Sequence, residues 1–200
     1  MRRVGLALAL LVAAPLHAAH GEPLRKMIRN VVGEVGGQAC KDYAVAEPRS
    51  PQASAVELWV DSYLSGYAVS SGIDILRGTD PQGRHAQLRE FCKAEPEAPI
   101  SDAAEALLYR LRRPAAFGGD IFVSYPTQAD CSIYFAANRD TQIWLTGYLS
   151  GFATATGKSL WGDLGGAAIE LRLAAACVED HSLPLDLAGR RIYEVLAARP

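Results

Sequence analysis

Cys92 lies 85 residues before Cys177, and at the same offset Trp59 falls on Trp144. Tyr63-Leu64-Ser65-Gly66-Tyr67 likewise falls on Tyr148-Leu149-Ser150-Gly151-Phe152. A tryptophan, an aromatic-glycine motif and a cysteine that share one spacing mark a tandem duplication. The chain is therefore expected to fold as two related units that reuse one set of core positions. The matched landmarks place a first unit over residues 22–113, a linker over 114–125 and a second unit over 126–200.

Ahead of the first unit, Arg2 and Arg3 precede an apolar run from Val4 to Ala14, and Pro15-Leu16-His17-Ala18 follows it. This order predicts a secretory signal over residues 1–18 and a periplasmic or secreted protein. The run is shorter than the roughly 20 apolar residues that span a bilayer, and no later stretch approaches that length, so no membrane span is expected. The chain carries 20 basic and 22 acidic residues; without Arg2 and Arg3 the balance is 18 against 22, a formal charge of -4. A mildly acidic chain without a basic stripe lacks the electrostatic footprint that nucleic acid requires.

All four cysteines fall after the signal, two in each repeat. In an oxidising compartment an even count points to disulfides, and four cysteines allow three pairings. The duplication favours Cys40 with Cys92 and Cys131 with Cys177, because each copy then carries its own bond. Zinc is disfavoured, since no Cys-x-x-Cys pair occurs and the chain has only 4 histidines.

Helical periodicity dominates the rest. Leu24, Met27, Ile28, Val31 and Val32 form an i, i+3, i+4, i+7, i+8 stripe over Pro23 to Val32. Each unit then opens with Cys-x-x-Tyr-x-x-Ala, at Cys40 and at Cys131. The first copy holds 19 residues between cysteine and tryptophan and the second 13, an excess expected as a surface loop at Glu47 to Gln52. A helix is predicted from Ala53 to Ser71, with Trp59, Tyr63, Gly66 and Tyr67 on one face, and its counterpart from Thr141 to Thr156 carries Trp144, Tyr148, Gly151 and Phe152. Glycine costs about 1 kcal/mol against alanine inside a helix, so Gly66 and Gly151 predict close approach of another helix backbone.

Gly78 to Gly83 reads as a turn, followed by a helix over Arg84 to Ala94. The equivalent helix, over Asp163 to Glu179, is expected to bury Leu164, Ala168, Leu171, Ala175 and Val178. Pro99 and Pro184 each introduce a last helix. In the first copy Asp102 and Glu105 suggest a capping box, and Ala104, Leu107, Leu108 and Leu111 an apolar stripe. In the second the stripe is Ala188, Ile192, Val195 and Leu196. Ile121 to Tyr125, in the glycine-rich join, suggests a short strand. The fold class expected is all-α, two tandem disulfide-stapled helical units packed as a pseudo-dimer.

Chemistry-bearing patterns are scarce, and neither an enzyme, a metal nor a cofactor is expected. His20, His85 and His181 belong to no catalytic pattern and are expected to be solvated, as are Asp61 and Asp74 on helix faces. Ser65 and Ser150 lack the flanking glycines and strand-to-helix setting of a nucleophile elbow. Gly162 to Gly166 lacks the lysine of a phosphate loop and reads as a turn.

Each repeat, with its Cys, an aromatic three residues later, Trp-x-x-x-Tyr-Leu-Ser-Gly-aromatic, a second Cys and a Pro-led helix, resembles a group of exported helical proteins. The group comprises the acid-stress chaperone HdeA and the Rap/Tai-type immunity proteins of type VI secretion. The resemblance covers nearly all of the chain after the signal, twice over. It implies a small disulfide-clamped helical bundle that binds another protein and catalyses nothing. In the immunity branch the partner is a secreted toxin, such as a cell-wall amidase, blocked by a loop inserted into its cleft. In the chaperone branch the partner is an acid-unfolded periplasmic client. Those proteins are usually single units that dimerise, so this chain is expected to be a monomeric pseudo-dimer. The contact surface is expected where the copies differ, at Glu47 to Gln52 and Gly78 to Gly83. A hydrolase with a pocket in one repeat is the third alternative.

Overall fold

A computed structural model describes residues 33–112, 116–117, 129–134, 139–158 and 166–198. The predicted signal, the Pro23 to Val32 stripe, the Ile121 to Tyr125 strand and most of Gly162 to Gly166 lie outside the described residues. The fold is all-α. The first half runs α1 (Glu34–Gly37), α2 (Cys40–Val45), α3 (Pro51–Ser71), α4 (Pro81–Ala94) and α5 (Ile100–Leu111). The second runs α6 (Cys131–Tyr134), α7 (Arg139–Thr156), α8 (Gly166–Glu179) and α9 (Leu185–Ala197). Two short strands, β1 (Ile73–Asp74) and β2 (Ala116–Phe117), pair antiparallel with Ile73 opposite Phe117, so the one described piece of the linker is tied to the first half.

Local chemistry sets the helix ends. Ser50 caps α3 by accepting from the Ala53 amide at 3.2 Å, Pro51 occupies the first turn, and Gly72 closes the helix in the left-handed conformation at φ 70. Asp80 caps α4 by accepting from the Gly83 amide at 2.7 Å, again with proline next. Both helices therefore begin earlier than the sequence pattern suggests: Pro51 and Gln52 are helical, and so are Pro81 to Gly83. Asp102 and Glu105 do not form a capping box, because α5 starts at Ile100, its cap position is Pro99, and no side chain caps it.

Each half repeats one local design. Cys40 pairs with Cys92 and Cys131 with Cys177, the two pairings the duplication favours. Beside each bond the main chain closes the same way: the Cys40 amide donates to Ala98 and the Ile100 amide to Gln38, as the Cys131 amide does to Leu183 and the Leu185 amide to Ala129. All four sulfurs are fully buried.

The long helices α3 and α7 make the most extensive packing contact in the molecule, and glycines set its closeness. A Cβ built on Gly66 would stand 2.0 Å from the Tyr148 carbonyl oxygen, and one on Gly151 2.0 Å from that of Tyr63. Gly147 approaches the Trp59 carbonyl almost as closely. Trp59, Tyr63 and Tyr67 enter one core and Trp144, Tyr148 and Phe152 the other. The Tyr63 hydroxyl crosses the seam to donate to Thr154 at 3.2 Å. Burial raises the affinity of the Tyr63 and Tyr148 hydroxyls for their protons, so both remain neutral.

One face of α8 differs from expectation. Leu173 and Cys177 are buried, whereas Leu171 and Val178 are 72% and 61% exposed and Ala175 is exposed too. On α9, Ala188, Ile192 and Leu196 are buried as expected, while Val195 is 55% exposed.

Candidate functional site

The longest difference between the copies, the insertion after α2, is a tight exposed turn with a charged tip. The Ser50 amide donates to the Glu47 carbonyl at 3.0 Å, Pro48 supplies the second position, and Arg49 occupies the third at φ 66. That is the arrangement of a type II turn, whose third position favours glycine because φ is positive there. Arg49 is the only non-glycine residue at positive φ among the described residues, a strain of order 1–3 kcal/mol. Glu47, Pro48 and Arg49 are exposed, and Val45, just before the turn, is 83% exposed.

Arg89 of α4 fixes the base of this turn. Its Nη1 donates to the Tyr43 carbonyl at 2.8 Å, which also accepts from the Ala46 amide, and to the Ala46 carbonyl at 2.9 Å, where α2 ends. The guanidinium lies over the Tyr43 ring, 4.4 Å from its centroid, and its Nη2 is 3.8 Å from Glu57 Oε1. The Tyr43 hydroxyl donates to the same Glu57 oxygen at 3.1 Å. Burial first, and the Glu57 charge second, hold the Tyr43 phenol well above its usual titration range.

Behind the anchor lies a charged cluster that spans α3 and α4. Arg84, 2% exposed, directs Nε and Nη2 at Asp61 Oδ1, each at 3.0 Å, and its Nη1 donates to Thr79 at 3.0 Å. The other Asp61 oxygen lies 3.1 Å from His85 Nε2, and His85 Nδ1 lies 3.5 Å from Glu57 Oε2. Glu57 and Asp61 are one turn apart on α3, so His85 bridges both carboxylates while Arg84 and Arg89 flank it. The expectation that Asp61 and His85 are solvated surface groups is thus corrected. Asp61 is 8% exposed and has a second carboxylate and an imidazole beside it. Asp74 is also buried, at 4%, and is paired with Arg77 at 3.1 Å.

Chemically this is a clamp. An imidazole between two carboxylates has the parts to carry a proton, but the Arg84 pair engages one Asp61 oxygen and His85 the other. Among the described residues no group of three His, Cys, Asp or Glu side chains is placed to hold a metal ion. None of the described helices is long and apolar enough to cross a membrane.

The cluster belongs to the first copy alone. At the 85-residue offset Glu57, Asp61, Arg84, His85 and Arg89 become Gln142, Thr146, Ile169, Glu170 and Ala174. Four of the five positions lose their charge and His85 becomes an acid, and that joint change is the signal by which sequence could have found the site. Of the residues singled out by the duplication, Trp59, Tyr63, Gly66 and Tyr67, with Trp144, Tyr148, Gly151 and Phe152, build the core and seam. They form no part of the turn or its anchor. The Gly78 to Gly83 segment contributes through Thr79, which receives Arg84, and through the Asp80 cap. No family model, curated protein or solved structure matches the chain.

Proposed function

We propose that this protein is a non-enzymatic, exported protein-binding module of immunity type, which presents the Glu47–Ser50 turn to a cleft in a secreted toxin. The observation that carries this reading is Arg49. An arginine held at positive φ, where glycine would relieve the strain, sits at the tip of an insertion that only one copy has. The turn is braced by Pro48 and Pro51 and tied at its base by Arg89, so little ordering remains to be done on binding. Arginine on a rigid tip suits a cleft lined by carboxylates, because its fork of donors meets them in pairs. The fused halves act as one covalent pseudo-dimer in this reading, and the second half braces the first.

The test is affinity capture from periplasmic and competitor extracts with the disulfides intact, comparing the parent with Arg49→Gly. Glycine removes the strain, so the variant is expected to melt no lower than the parent while losing the captured protein. Equal capture by parent and variant would sink the reading.

One observation favours a second reading, an acid-stress chaperone of HdeA type. Glu57 and Asp61 hold two arginines and a histidine between α3 and α4, a concentration of basic groups that these two carboxylates offset. A pull-down at about pH 3 that recovers unfolded clients would favour this reading, and an empty one would remove it.

A further inference from the structure

The outer face of α8 carries a pattern that its own fold does not use. Leu173 and Cys177 turn inward, while Leu171, Ala175 and Val178, at i, i+4 and i+7, form an exposed apolar stripe. Arg172 stands beside the start of the stripe and Glu179 beside its end, about 10 Å apart along the helix. Among the described residues neither makes an ion pair within the chain. Glu179 is moreover the last residue of α8, at the negative end of the helix dipole, where a carboxylate is disfavoured. Midway between the two charges lie Ala175 and Ala176, small enough to admit another helix closely.

Beside the stripe an open groove of about 590 Å³ runs between α8 and α9, with Ile192 and Val195 on its far wall. Arg191 and Glu194 of α9 also line it, so the rim holds two arginines and two glutamates. A partner of one charge sign would be repelled by half of that rim. The first copy shows the same face when it meets only water. There Ala175, Val178 and Val195 are Glu90, Lys93 and Arg110, all exposed, and Arg172 and Glu179 are Gln87 and Ala94. The apolar stripe and its two end charges therefore belong to the second copy alone.

We propose that the groove holds α8 of a second copy of this chain, set antiparallel about a twofold axis that passes beside Ala175 and Ala176. A twofold pair needs a self-complementary patch. A stripe with opposite charges at its two ends and small residues at its middle is one. Arg172 of each chain then faces Glu179 of the partner subunit, and the guanidinium offsets the dipole at the end of α8. Leu171, Val178 and Val195 leave water in the same step. The interface draws on the second half only and is independent of the Arg49 turn. The covalent pseudo-dimer, expected as a monomer, becomes the protomer of a true dimer.

Sedimentation velocity over a concentration series, with the disulfides intact, tests the proposal. The parent is expected to dimerise. Arg172→Glu and Glu179→Arg each set like charges together at both ends of the pair, and each is expected to weaken the dimer about tenfold or more. Mixing these two variants pairs opposite charges at both ends. The mixture is expected to form a heterodimer about as tight as the parent, which also shows that both variants fold. A parent that stays monomeric at roughly 100 µM would overturn the proposal, including one whose groove takes up an apolar helical peptide instead. So would single variants that dimerise as the parent does, or a mixture no tighter than either variant alone.

Discussion

Gly66 on α3 lies so close to Tyr148 on α7 that a methyl group added to it would stand 2.0 Å from the Tyr148 carbonyl oxygen. Backbone cannot yield as a side chain can, so Gly66→Ala must push the helices apart. We expect a loss of roughly 3 kcal/mol or more, at the upper end for overpacking. Gly151→Ala should match it, since its added methyl would meet the Tyr63 carbonyl at the same distance. Gly37→Ala, with nothing within 4 Å, is the control and should leave the urea midpoint unchanged or slightly raised.

Arg84 and Asp61 form a buried ion pair, and removing Arg84 leaves Asp61 with His85 as its remaining partner. Arg84→Met should cost about 3–5 kcal/mol, whereas Arg84→Met with Asp61→Leu should recover more than half of that loss. Urea unfolding of the two single variants and the double variant gives the coupling directly. A double variant no more stable than the worse single would contradict the pairing.

The two disulfides close segments of 52 and 46 residues. Loop entropy makes each worth roughly 4 kcal/mol, comparable to the whole stability of a small domain. The Cys131→Ala, Cys177→Ala double variant should lose about that amount in chemical denaturation. The α3–α7 seam couples the halves, so the first half should lose its far-ultraviolet signal over the same transition.

Burial, with the Asp102 charge second, raises the affinity of the Glu105 carboxyl for its proton. A folded-state value above the unfolded one means the contribution is fully present in acid and is lost as pH rises through the folded-state value. Glu105→Gln should therefore match the parent near pH 3 and melt higher than it near pH 7. Thermal scans at both pH values check the sign, and a variant that melts lower near pH 7 would contradict it.

Particular residues show what sequence could and could not reveal. The seam was legible because Gly66 and Gly151 recur beside aromatics, and a helix does not keep glycine there twice without a neighbour to admit. The disulfides were legible because duplication reduces three pairings to one that repeats. The inner face of α8 is hard to phase because Leu171, Leu173, Ala174, Ala175, Ala176 and Val178 spread apolar character around the helix, interrupted by Glu170, Arg172 and Glu179. Cys177 held the answer: its bond fixes the inner face, and one turn back along it lies Leu173. The charged cluster is legible only by comparing the two copies position by position, not from either copy alone. Asp61 and His85 are ordinary residues for a solvated helix, and only the crossing of α3 and α4 turns them inward toward each other. Arg49 could not be read as strained, because a proline before an arginine does not announce a positive φ.

A seam made of main chain has a consequence for how the copies change over time. Side-chain interfaces drift together or fail together, whereas carbonyls and glycine Cα atoms are the same in both copies whatever surrounds them. The joint between the halves is therefore least tolerant of change at Gly66, Gly147 and Gly151. One copy carries a charged clamp and a strained turn that the other lacks, on either side of the contact that keeps them one molecule.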